Sequence, residues 1–326
     1  MDRKTKSGAV ITVRDLSLAL RRRKRLLPIF SDISFQLERG KVTAMVGESG
    51  SGKSLLCRSL LKLAPGDAEL EGNLQLAAVT ADNLLRLPEE AWQKIRGREI
   101  GMLFQEPASS LNPVLRCGRQ IRDVVRTHRR LTGKEARSAV LELLARVGLD
   151  DCDRVYRSYP HELSGGMAQR VALALALAGE PSVCIADEPF TALDAVTRES
   201  IIRTVVTIMK EKSQALLIVL HDLELARNYS DRLLVMYAGQ IMESGPTDLV
   251  FANPLHPYTI ALLNIMNGLR SGTLPSSIPG EVPSVENLPS GCPFHPRCPR
   301  AESICRTRAA PVLHQAHRTV ACHFVT

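Results

Sequence analysis

The chain has 326 residues, 44% of them hydrophobic, and a formal net charge of +8, so it can bury one large core or two domains of unequal size. Its longest apolar run, residues 171–178, is much shorter than the roughly 18 residues of a membrane-spanning helix, which excludes such a helix. The positive charge suits nucleic acid, anionic lipid headgroups or an anionic ligand such as a nucleoside triphosphate, and does not choose among them.

The N-terminal residues lack the apolar stretch of a secretory signal, so we expect a compartment that keeps thiols reduced and disfavours disulfides. A basic cluster at residues 21–25 has no aromatic residues between its charges, which argues against a stacking surface for single strands. We interpret the cluster as a solvated hairpin loop and leave contact with lipid or nucleotide open.

Apolar runs separated by turn residues predict strands at residues 10–13, 16–20, 33–37 and 41–46, the last of which enters a glycine-rich turn. A helix at residues 53–63 and a strand at residues 73–79 follow. Further on, a capping-box pattern at residues 132–135 precedes apolar positions at helical spacing, with Gly148 placed to end that helix.

The second half of the chain alternates between strands and helices. After a helix at residues 166–178, strands at 183–186, 215–220 and 232–236 alternate with helices at 196–212 and 223–229. This rhythm is typical of a parallel sheet with crossover helices, so the core is predicted to be α/β. The composition changes after residue 251, and a stretch rich in Pro, Ser and Gly at residues 271–291 predicts a linker to a short tail.

The sharpest motif matches G-x-x-x-x-G-K-[ST] and lies between a predicted strand and a predicted helix. Its residues are Gly47, Glu48, Ser49, Gly50, Ser51, Gly52, Lys53 and Ser54. In such a loop the backbone amides surround phosphates, Lys53 reaches the β and γ oxygens, and the Ser54 hydroxyl can bind magnesium. The motif therefore predicts a nucleoside triphosphate site.

Two carboxylates, Asp187 and Glu188, follow the predicted strand at residues 183–186. Open α/β sheets bind their ligands at the carboxyl ends of strands. We expect Asp187 to hold magnesium and Glu188 to polarise the attacking water. An exposed acidic pair at a strand end is the alternative, which the upstream phosphate-binding motif disfavours.

Residues 163–167, Leu-Ser-Gly-Gly-Met, resemble the signature of ABC ATPases. Gln105 resembles the glutamine of the Q-loop in that family, residues 192–194 the D-loop, and His221 the switch histidine. The resemblance implies an α/β fold: an ABC-type P-loop nucleotide-binding domain at residues 1–250, with an antiparallel β part and a helical subdomain at about residues 106–178.

By the same resemblance, two cassettes close head to tail on ATP. Ser164, Gly165, Gly166 and Asp194 are then expected at the ATP bound by the partner. The catalytic set is expected to comprise Lys53, Gln105, Glu188 and His221, with His221 at the γ-phosphate. Gln105 is also expected to report to the membrane subunits, and the magnesium ligands are expected to be Ser54, Gln105 and Asp187.

Three residues depart from the family pattern. Met167 replaces the commonest Gln of the signature, a variant similar to that of peptide importers. Leu20 stands where an aromatic residue usually stacks on adenine, so an arginine of the 21–25 cluster could cover the base instead. Phe190 stands where Thr is usual.

Residues 251–326 resemble the C-terminal extension of ATPases from oligopeptide and dipeptide importers, through residues 253–259, 291–294 and 297–299. Nickel and metallophore importers are close relatives and stay an alternative. The resemblance implies ATP hydrolysis that drives peptide uptake at the cytoplasmic face of the cell membrane. The implied partners are two integral permeases, a second, non-identical ATPase chain and, indirectly, an extracytoplasmic binding protein, without nucleic acid.

Four of the eight cysteines, Cys292, Cys298, Cys305 and Cys322, lie in the tail. Four thiolates suit zinc or an iron–sulfur cluster, although their spacing is longer than that of zinc knuckles. His295 and His323 leave mixed ligation open, and unliganded thiols are the third possibility. The resemblance to peptide importers implies a four-iron four-sulfur cluster that holds the tail.

Two rival hypotheses belong to other classes. A soluble ABC ATPase that acts on DNA or ribosomes would use the basic charge on nucleic acid. It usually has two cassettes or a long coiled-coil insertion, and residues 106–163 leave room only for a compact helical subdomain. A regulatory subunit without turnover is disfavoured because Lys53, Glu188 and His221 are all present.

Overall fold

The computed structural model describes residues 8–22, 25–106, 110–190, 193–271, 277–315 and 317–325. The chain divides into two compact units. Within the described ranges, the first unit comprises residues 8–12, 36–42 and 75–218, and the second comprises residues 13–35, 43–74 and 219–325. The C-terminal residues thus share a unit with the phosphate-binding motif. The division of the sequence at residue 250 stays a prediction.

In chain order, the strands are β1 (Ala9–Arg22), β2 (Arg25–Glu38), β3 (Val42–Val46), β4 (Ala68–Leu76), β5 (Ile100–Leu103), β6 (Val183–Ala186), β7 (Ala215–Val219), β8 (Arg232–Tyr237), β9 (Gln240–Pro246), β10 (Val312–Gln315) and β11 (Arg318–Ala321). The helices are α1 (Lys53–Ser59), α2 (Glu89–Ile95), α3 (Cys117–Arg129), α4 (Gly133–Arg146), α5 (Cys152–Arg157), α6 (Gly165–Leu177), α7 (Ala195–Glu211), α8 (Leu223–Tyr229), α9 (Thr247–Ala252), α10 (Pro257–Ser271) and α11 (Ser303–Thr307). Short 3-10 turns include residues 160–162 and 295–297.

The first unit is built on parallel strands in the order β7, β6, β5. Every residue of β6 and β7 is buried, as expected for parallel strands covered on both faces. The aliphatic runs at residues 183–186 and 215–220 therefore predicted these two strands almost to the residue.

Helices α3 and α4 of the same unit are amphipathic, with buried residues at helical spacing. The helix predicted after residue 132 is α4, with Ala136, Val140 and Leu143 buried, and Gly148 follows its end at φ 84°. The capping box is wrong, because the Thr132 side chain accepts no hydrogen bond at the start of α4. Only the spacing of apolar residues located this helix.

The second unit contains a three-stranded sheet in the order β2, β1, β4. β1 is one continuous strand where two were predicted. Asp15 adopts a left-handed conformation with φ 50°. Its backbone N–H donates to Ser34 Oγ at 2.8 Å. The bond to the neighbouring strand lets β1 continue through the residue that suggested a turn.

The remaining strands of this unit run in the order β10, β11, β9, β8, β3. β3 and β8 are parallel, whereas β8, β9, β11 and β10 pair antiparallel. α1 ends at Ser59, four residues before the predicted end, because Lys62 already adopts φ 52°. β4 covers residues 68–76 rather than the predicted 73–79.

The tail is ordered by strand addition at β10 and β11, two strands that the sequence analysis did not predict. β11 pairs with β9 through Thr319 opposite Ser244 and Val320 opposite Glu243. The hydroxyl oxygens of Ser244 and Thr319 are 2.7 Å apart and share a hydrogen bond. Arg318 forms an ion pair with the fully buried Glu243. A metal staple is therefore not the only element that can hold the tail.

None of the helices within the described ranges combines the length and the apolar character that a bilayer crossing requires.

Candidate functional site

The predicted phosphate-binding loop joins buried strand β3 to helix α1 in the second unit. Gly47 adopts φ 151°, and a Cβ there would lie 2.0 Å from the carbonyl oxygen of Met236. Gly52 adopts φ 96° at the start of α1. Both positions require glycine, the first because of close backbone approach and the second because of its left-handed conformation.

Lys53 lies at the centre of this loop with only 4% of its surface exposed. Its Nζ donates to the carbonyl oxygens of Gly47 and Glu48, each at 2.9 Å, and to Ser51 Oγ at 3.2 Å. Ser54 follows on the first turn of α1. The amine is thereby held at the loop that the sequence motif predicts to surround phosphates.

The two acidic residues lie in the first unit, at the carboxyl end of β6. Asp187 is fully buried, and its backbone N–H donates to the carbonyl oxygen of Leu103 at 2.9 Å. Glu188 adopts φ 44°, and its Oε2 accepts a hydrogen bond of 3.3 Å from Gln105 Nε2. The structure therefore brings Gln105 and Glu188 together, because parallel strands β5 and β6 end side by side.

The signature residues form the start of α6. Ser164 is its N-cap, and the Oγ accepts from the Met167 N–H at 3.4 Å. Ser164 and Gly165 are exposed, and a Cβ at Gly165 would meet nothing within 4 Å. This 13-residue helix presents its N-terminal amides and positive dipole end to the surroundings, an arrangement that favours anions.

Asp194 occupies the equivalent position on the neighbouring helix. It is the N-cap of α7, with Oδ1 accepting from the Thr197 N–H at 3.0 Å. Hydrogen bonds with Thr197 hold the pKa of this exposed carboxyl below its ordinary value. A Cβ at Gly166 would lie 3.4 Å from Thr197 Cγ2, so the starts of α6 and α7 are close together. Ala192 of the predicted D-loop lies outside the described residues.

His221 is an exposed residue of the second unit. In the sequence it lies between the last residue of β7 and the first residue of α8. It lines an open cavity of about 670 Å³ with residues from α8 and α10, among them Leu262, Ile265 and Met266. The ring is accessible, as a residue that contacts a ligand must be.

The described members of the basic cluster, Arg21, Arg22 and Arg25, are exposed as predicted. The loop interpretation is wrong for these three residues, because they form the ends of strands β1 and β2. Arg23 and Lys24 lie outside the described residues. Arg21 forms a surface ion pair with Glu69. Leu20 is half-buried and offers no ring for adenine, and Phe190 is buried, so its ring contributes to packing.

The four tail cysteines surround a single cavity of about 20 Å³, lined also by His256, His295 and His323. All four are free thiols. Burial, together with the charges of the other three tail cysteines, raises the pKa of Cys292 to about 11. Burial also raises the pKa of Cys298. Thiolates at Cys292 and Cys298 are therefore costly unless a cation accompanies them.

The two histidines beside the cavity make other contacts. The His295 ring is 3.0 Å from the carbonyl oxygen of Cys292, and His323 Nε2 is 3.1 Å from that of Arg308. Among the described residues, no group of three or more His, Cys, Asp or Glu side chains has the geometry of a metal-ion site.

One contact of the second unit escaped the sequence analysis. Arg297, in the 3-10 turn just before Cys298, forms an ion pair with Glu48 of the phosphate-binding loop, with Nη1 to Oε2 at 2.6 Å. The Glu48 N–H donates to the Tyr258 hydroxyl at 2.9 Å. The only hint in the sequence was that Tyr258 and Arg297 both lie in the segments that resemble the peptide-importer extension.

Family models match both parts of the chain. The ABC transporter model matches residues 30–191, and the model described as the oligopeptide/dipeptide transporter C-terminal region matches residues 242–305. A protein of Brucella ovis, named as a peptide import ATP-binding protein, is 42% identical over 318 residues, covering 93% of each chain. The oligopeptide transport ATP-binding protein AppD of Bacillus subtilis is 39% identical over 321 residues, covering 97% of this chain and 96% of its own.

The fold of this chain is also similar to that of several solved structures. The dimeric post-hydrolysis structure of the ATP-binding cassette MJ0796, bound to ADP and Pi, is 26% identical with a TM-score of 0.65, covering 73% of this chain and 98% of that one. CbiO1 from Clostridium perfringens, part of the ABC transporter complex cbiONQ, is 25% identical with a TM-score of 0.64, covering 82% and 98%. These likenesses confirm the predicted α/β cassette fold with its antiparallel β part and helical part.

Proposed function

The chain belongs to the ATP-binding proteins of ABC transporters, in the oligopeptide/dipeptide import group. From this membership we propose the role of the subunit and of each residue in its nucleotide site. It is the ATPase subunit of an oligopeptide or dipeptide importer and couples ATP hydrolysis to transport. The observation that carries this function is the coexistence of a complete phosphate-binding loop around Lys53 with the peptide-transporter region at residues 242–305.

The phosphate contacts come from the loop at residues 47–54. Its backbone amides surround the phosphates, and the amine of Lys53 turns from the loop carbonyls to the β and γ oxygens. This exchange costs little, because one set of oxygen acceptors replaces another. His221 contacts the γ-phosphate, which its exposure permits.

Glu188 orients the water that attacks the γ-phosphate, and its hydrogen bond with Gln105 supports this role. The left-handed conformation of Glu188 costs of order 1 kcal/mol for a residue with a side chain, and such strain concentrates at functional sites. Gln105 therefore holds the carboxylate in one orientation and links it to the segment that reports to the membrane subunits.

Ser54, Gln105 and Asp187 would hold magnesium. A hydroxyl, an amide oxygen and a buried carboxylate are the hard oxygen donors that this ion prefers, and Asp187 is fully buried at the strand end. When bound, the ion neutralises charge on the phosphate oxygens. Lys53 and the loop amides contribute to the same neutralisation and position the phosphates for in-line attack.

The exposed starts of α6 and α7 bind the ATP held by a partner cassette. Ser164, Gly165 and Gly166 supply amides and a hydroxyl to the phosphates, and Asp194 supports this edge through its cap on α7. The open surface at Gly165 favours a binding role in the assembled dimer.

The assembly contains two integral permeases and a second, non-identical ATPase, and it receives cargo from an extracytoplasmic binding protein. The chain lies at the cytoplasmic face of the membrane as a peripheral subunit. Peptides are the cargo of the transporter. Nickel or a metallophore is the alternative cargo, which the experiment below distinguishes. Nucleic acid is not a partner.

Co-purification and turnover test this function together. The chain, expressed with its permeases and binding protein, should hydrolyse ATP faster when peptide-loaded binding protein is added. Lys53→Ala should abolish the stimulated activity because the phosphates lose their charged partner. Stimulation by a nickel-loaded binding protein alone would assign the metal cargo. ATP turnover without membrane subunits but stimulated by nucleic acid would contradict the transport function.

The tail cysteines hold a four-iron four-sulfur cluster. Four free thiols around one cavity, and burial that raises the pKa of Cys292 and Cys298, suit a cationic, thiophilic group. Cys292, Cys298, Cys305 and Cys322 are the ligands, and the group would act as a structural cross-link within the tail.

Metal analysis tests this assignment. Anaerobic purification should give a brown protein with on the order of four irons per chain, and Cys298→Ser should remove both colour and iron. One zinc per colourless chain would assign zinc instead. A preparation without metal would show that the tail relies on the pairing of β11 with β9.

A further inference from the structure

Arg297 connects the four-cysteine tail to the phosphate-binding loop within the second unit. Only 4% of its side chain is exposed. The guanidinium donates to both carboxylate oxygens of Glu48, at 2.6 and 3.1 Å. It also donates to the Tyr237 hydroxyl at 3.3 Å and to the carbonyl oxygens of Ile278 and Pro279 at 3.2 and 2.9 Å. The planar guanidinium of Arg297 is thereby fixed in a single orientation.

Glu48 is held at each of its polar groups. Its carboxylate binds Arg297, its N–H donates to the Tyr258 hydroxyl, and its carbonyl oxygen accepts from Lys53 Nζ at 2.9 Å. The lysine that reaches the phosphates and the arginine of the tail therefore meet on one residue. Displacement of Arg297 would remove a bidentate contact from the loop that contains Lys53.

Packing keeps Arg297 in place from the side of the tail. The rings of Tyr237, Tyr258 and Phe294 pack together with centroids 4.7 to 5.3 Å apart. Phe294 begins the turn that carries Arg297, and the Cys292 N–H donates to the carbonyl oxygen of Cys305 at 2.8 Å. The position of Arg297 thus depends on the fold of the cysteine cluster.

We propose that Arg297 is a positioning residue for the phosphate-binding loop, through which the four-cysteine tail sets the affinity of the subunit for ATP. The proposal rests on ATP binding by this loop, as proposed above. It gives the tail a role in the ATPase cycle: loss of order among the cysteines releases Arg297 and weakens nucleotide binding.

Charge explains the direction of the effect. A carboxylate in a loop that surrounds a triphosphate repels the anion, and Glu48 is 27% exposed, so solvent screens this repulsion only in part. The Arg297 guanidinium cancels the charge and fixes the loop at the same time. Without Arg297, the repulsion returns and the loop loses a bidentate anchor.

The experiment measures the Kd of the purified full-length chain for MgATP by calorimetry, with Tm as the check on folding. Arg297→Met keeps the length and apolar volume of the side chain and should raise Kd about tenfold. Arg297→Lys keeps the positive charge but lacks the paired N–H donors of the guanidinium, so it should raise Kd about threefold. The control Arg306→Ala removes an exposed arginine of α11 that does not line the cysteine cavity, and its Kd should not change.

The decisive variant is the double substitution Arg297→Met with Glu48→Gln. Because the second change removes the uncompensated charge, the double variant should bind MgATP more tightly than Arg297→Met alone. A merely structural role of the ion pair predicts equal or weaker binding, and that result would overturn the proposal. In the assembled transporter, Arg297→Met should raise KM for ATP and leave kcat unchanged.

Two further outcomes separate this proposal from the function of the subunit. Unchanged Kd in both Arg297→Met and Arg297→Lys, with binding abolished by Lys53→Ala, would overturn the positioning role and leave the ATPase function standing. A wild-type chain that does not bind MgATP would overturn both.

The role of the tail is tested by Cys298→Ser. In the wild-type background it should weaken MgATP binding, and in the Arg297→Met background it should have no further effect, because the connection is already broken. Equal losses in the two backgrounds, or no loss in the wild type, would contradict the connection.

Discussion

Glu188 combines three features that rarely coincide by chance: a left-handed conformation at φ 44°, a position directly after the buried Asp187, and a hydrogen bond with Gln105. The motif alone predicted a carboxylate at a strand end. The backbone strain and the partner are products of tertiary structure, since Gln105 and Glu188 are 83 positions apart.

Glu188→Gln should therefore separate binding from turnover. The amide keeps the shape and the hydrogen-bonding capacity but loses the charge that orients water, so MgATP binding should persist and hydrolysis should fall by at least about 100-fold. Both are measured in the assembled transporter, with the partner ATPase site disabled. An unchanged rate would remove Glu188 from the catalytic set.

His256 gives the second unit a dependence on pH. Burial lowers the pKa of this histidine from 6.5 to about 4, and its Nδ1 accepts from the Tyr258 N–H at 3.0 Å, which requires the neutral ring. Between pH 6.5 and 4 the unfolded chain binds the proton and the folded chain does not. The free energy of unfolding should thus fall by about 3 kcal/mol as the pH drops across this window.

Urea unfolding at a series of pH values measures this contribution. His256→Asn supplies an acceptor that does not titrate in this window, so it should flatten the pH dependence. The matched control, His314→Asn, changes an exposed residue of β10 and should leave the slope as it is. An equal slope for wild type and His256→Asn would assign the effect to other groups.

At the scale of elements, α6 serves two purposes that one substitution can separate. Gly165 has open space around its Cβ position and lies in the first turn of a helix, so Gly165→Ala should stabilise the folded chain by up to about 1 kcal/mol. The same methyl group would occupy the surface that binds the partner's ATP.

Gly165→Ala should consequently raise or preserve Tm and leave the Kd of the isolated chain for MgATP unchanged, while ATP hydrolysis by the assembled transporter falls at least about tenfold. Gly47→Ala is the contrasting control, because a Cβ there meets a carbonyl oxygen at 2.0 Å and should disrupt the loop itself. Normal turnover with Gly165→Ala would show that this surface does not contact nucleotide.

The elements that were predicted well and those that were missed differ in a physical way. β6 and β7 are short aliphatic runs buried on every residue, so composition alone identifies them. β10 carries exposed residues and β11 begins with the polar Arg318 and Thr319. They become strands because β9 offers an edge to β11, which in turn pairs with β10. Arg297 was missed for the same reason, since its partner Glu48 is 249 positions away.

At the scale of the whole molecule, the net charge of +8 left nucleic acid, lipid and nucleotide open, and only the motifs chose among them. Family membership then fixed the function, because the peptide-transporter region occupies the same chain as the ABC cassette. The sequence could not supply the contact between tail and loop, because Arg297 and Glu48 are brought together only by the folding of the second unit.

The assembly should contain one copy of this chain and one copy of a different ATPase. The resemblance of the C-terminal region to peptide importers implies such a pair, and Leu20 in place of an aromatic residue at the adenine position is compatible with two unequal sites. Mass spectrometry of the intact purified transporter measures the stoichiometry. An active complex with two copies of this chain and no second ATPase would refute the heteromeric assembly.

The central claim, that ATP hydrolysis by this chain drives peptide uptake, is tested most directly by peptide accumulation. The transporter is reconstituted in liposomes with ATP at the cassette side and labelled dipeptide plus binding protein at the opposite side. With wild-type chain, the peptide should accumulate against its gradient in step with ATP consumption, and with Glu188→Gln the accumulation should cease although MgATP still binds. Continued accumulation with the Glu188→Gln chain, or ATP consumption without any peptide movement, would contradict the account.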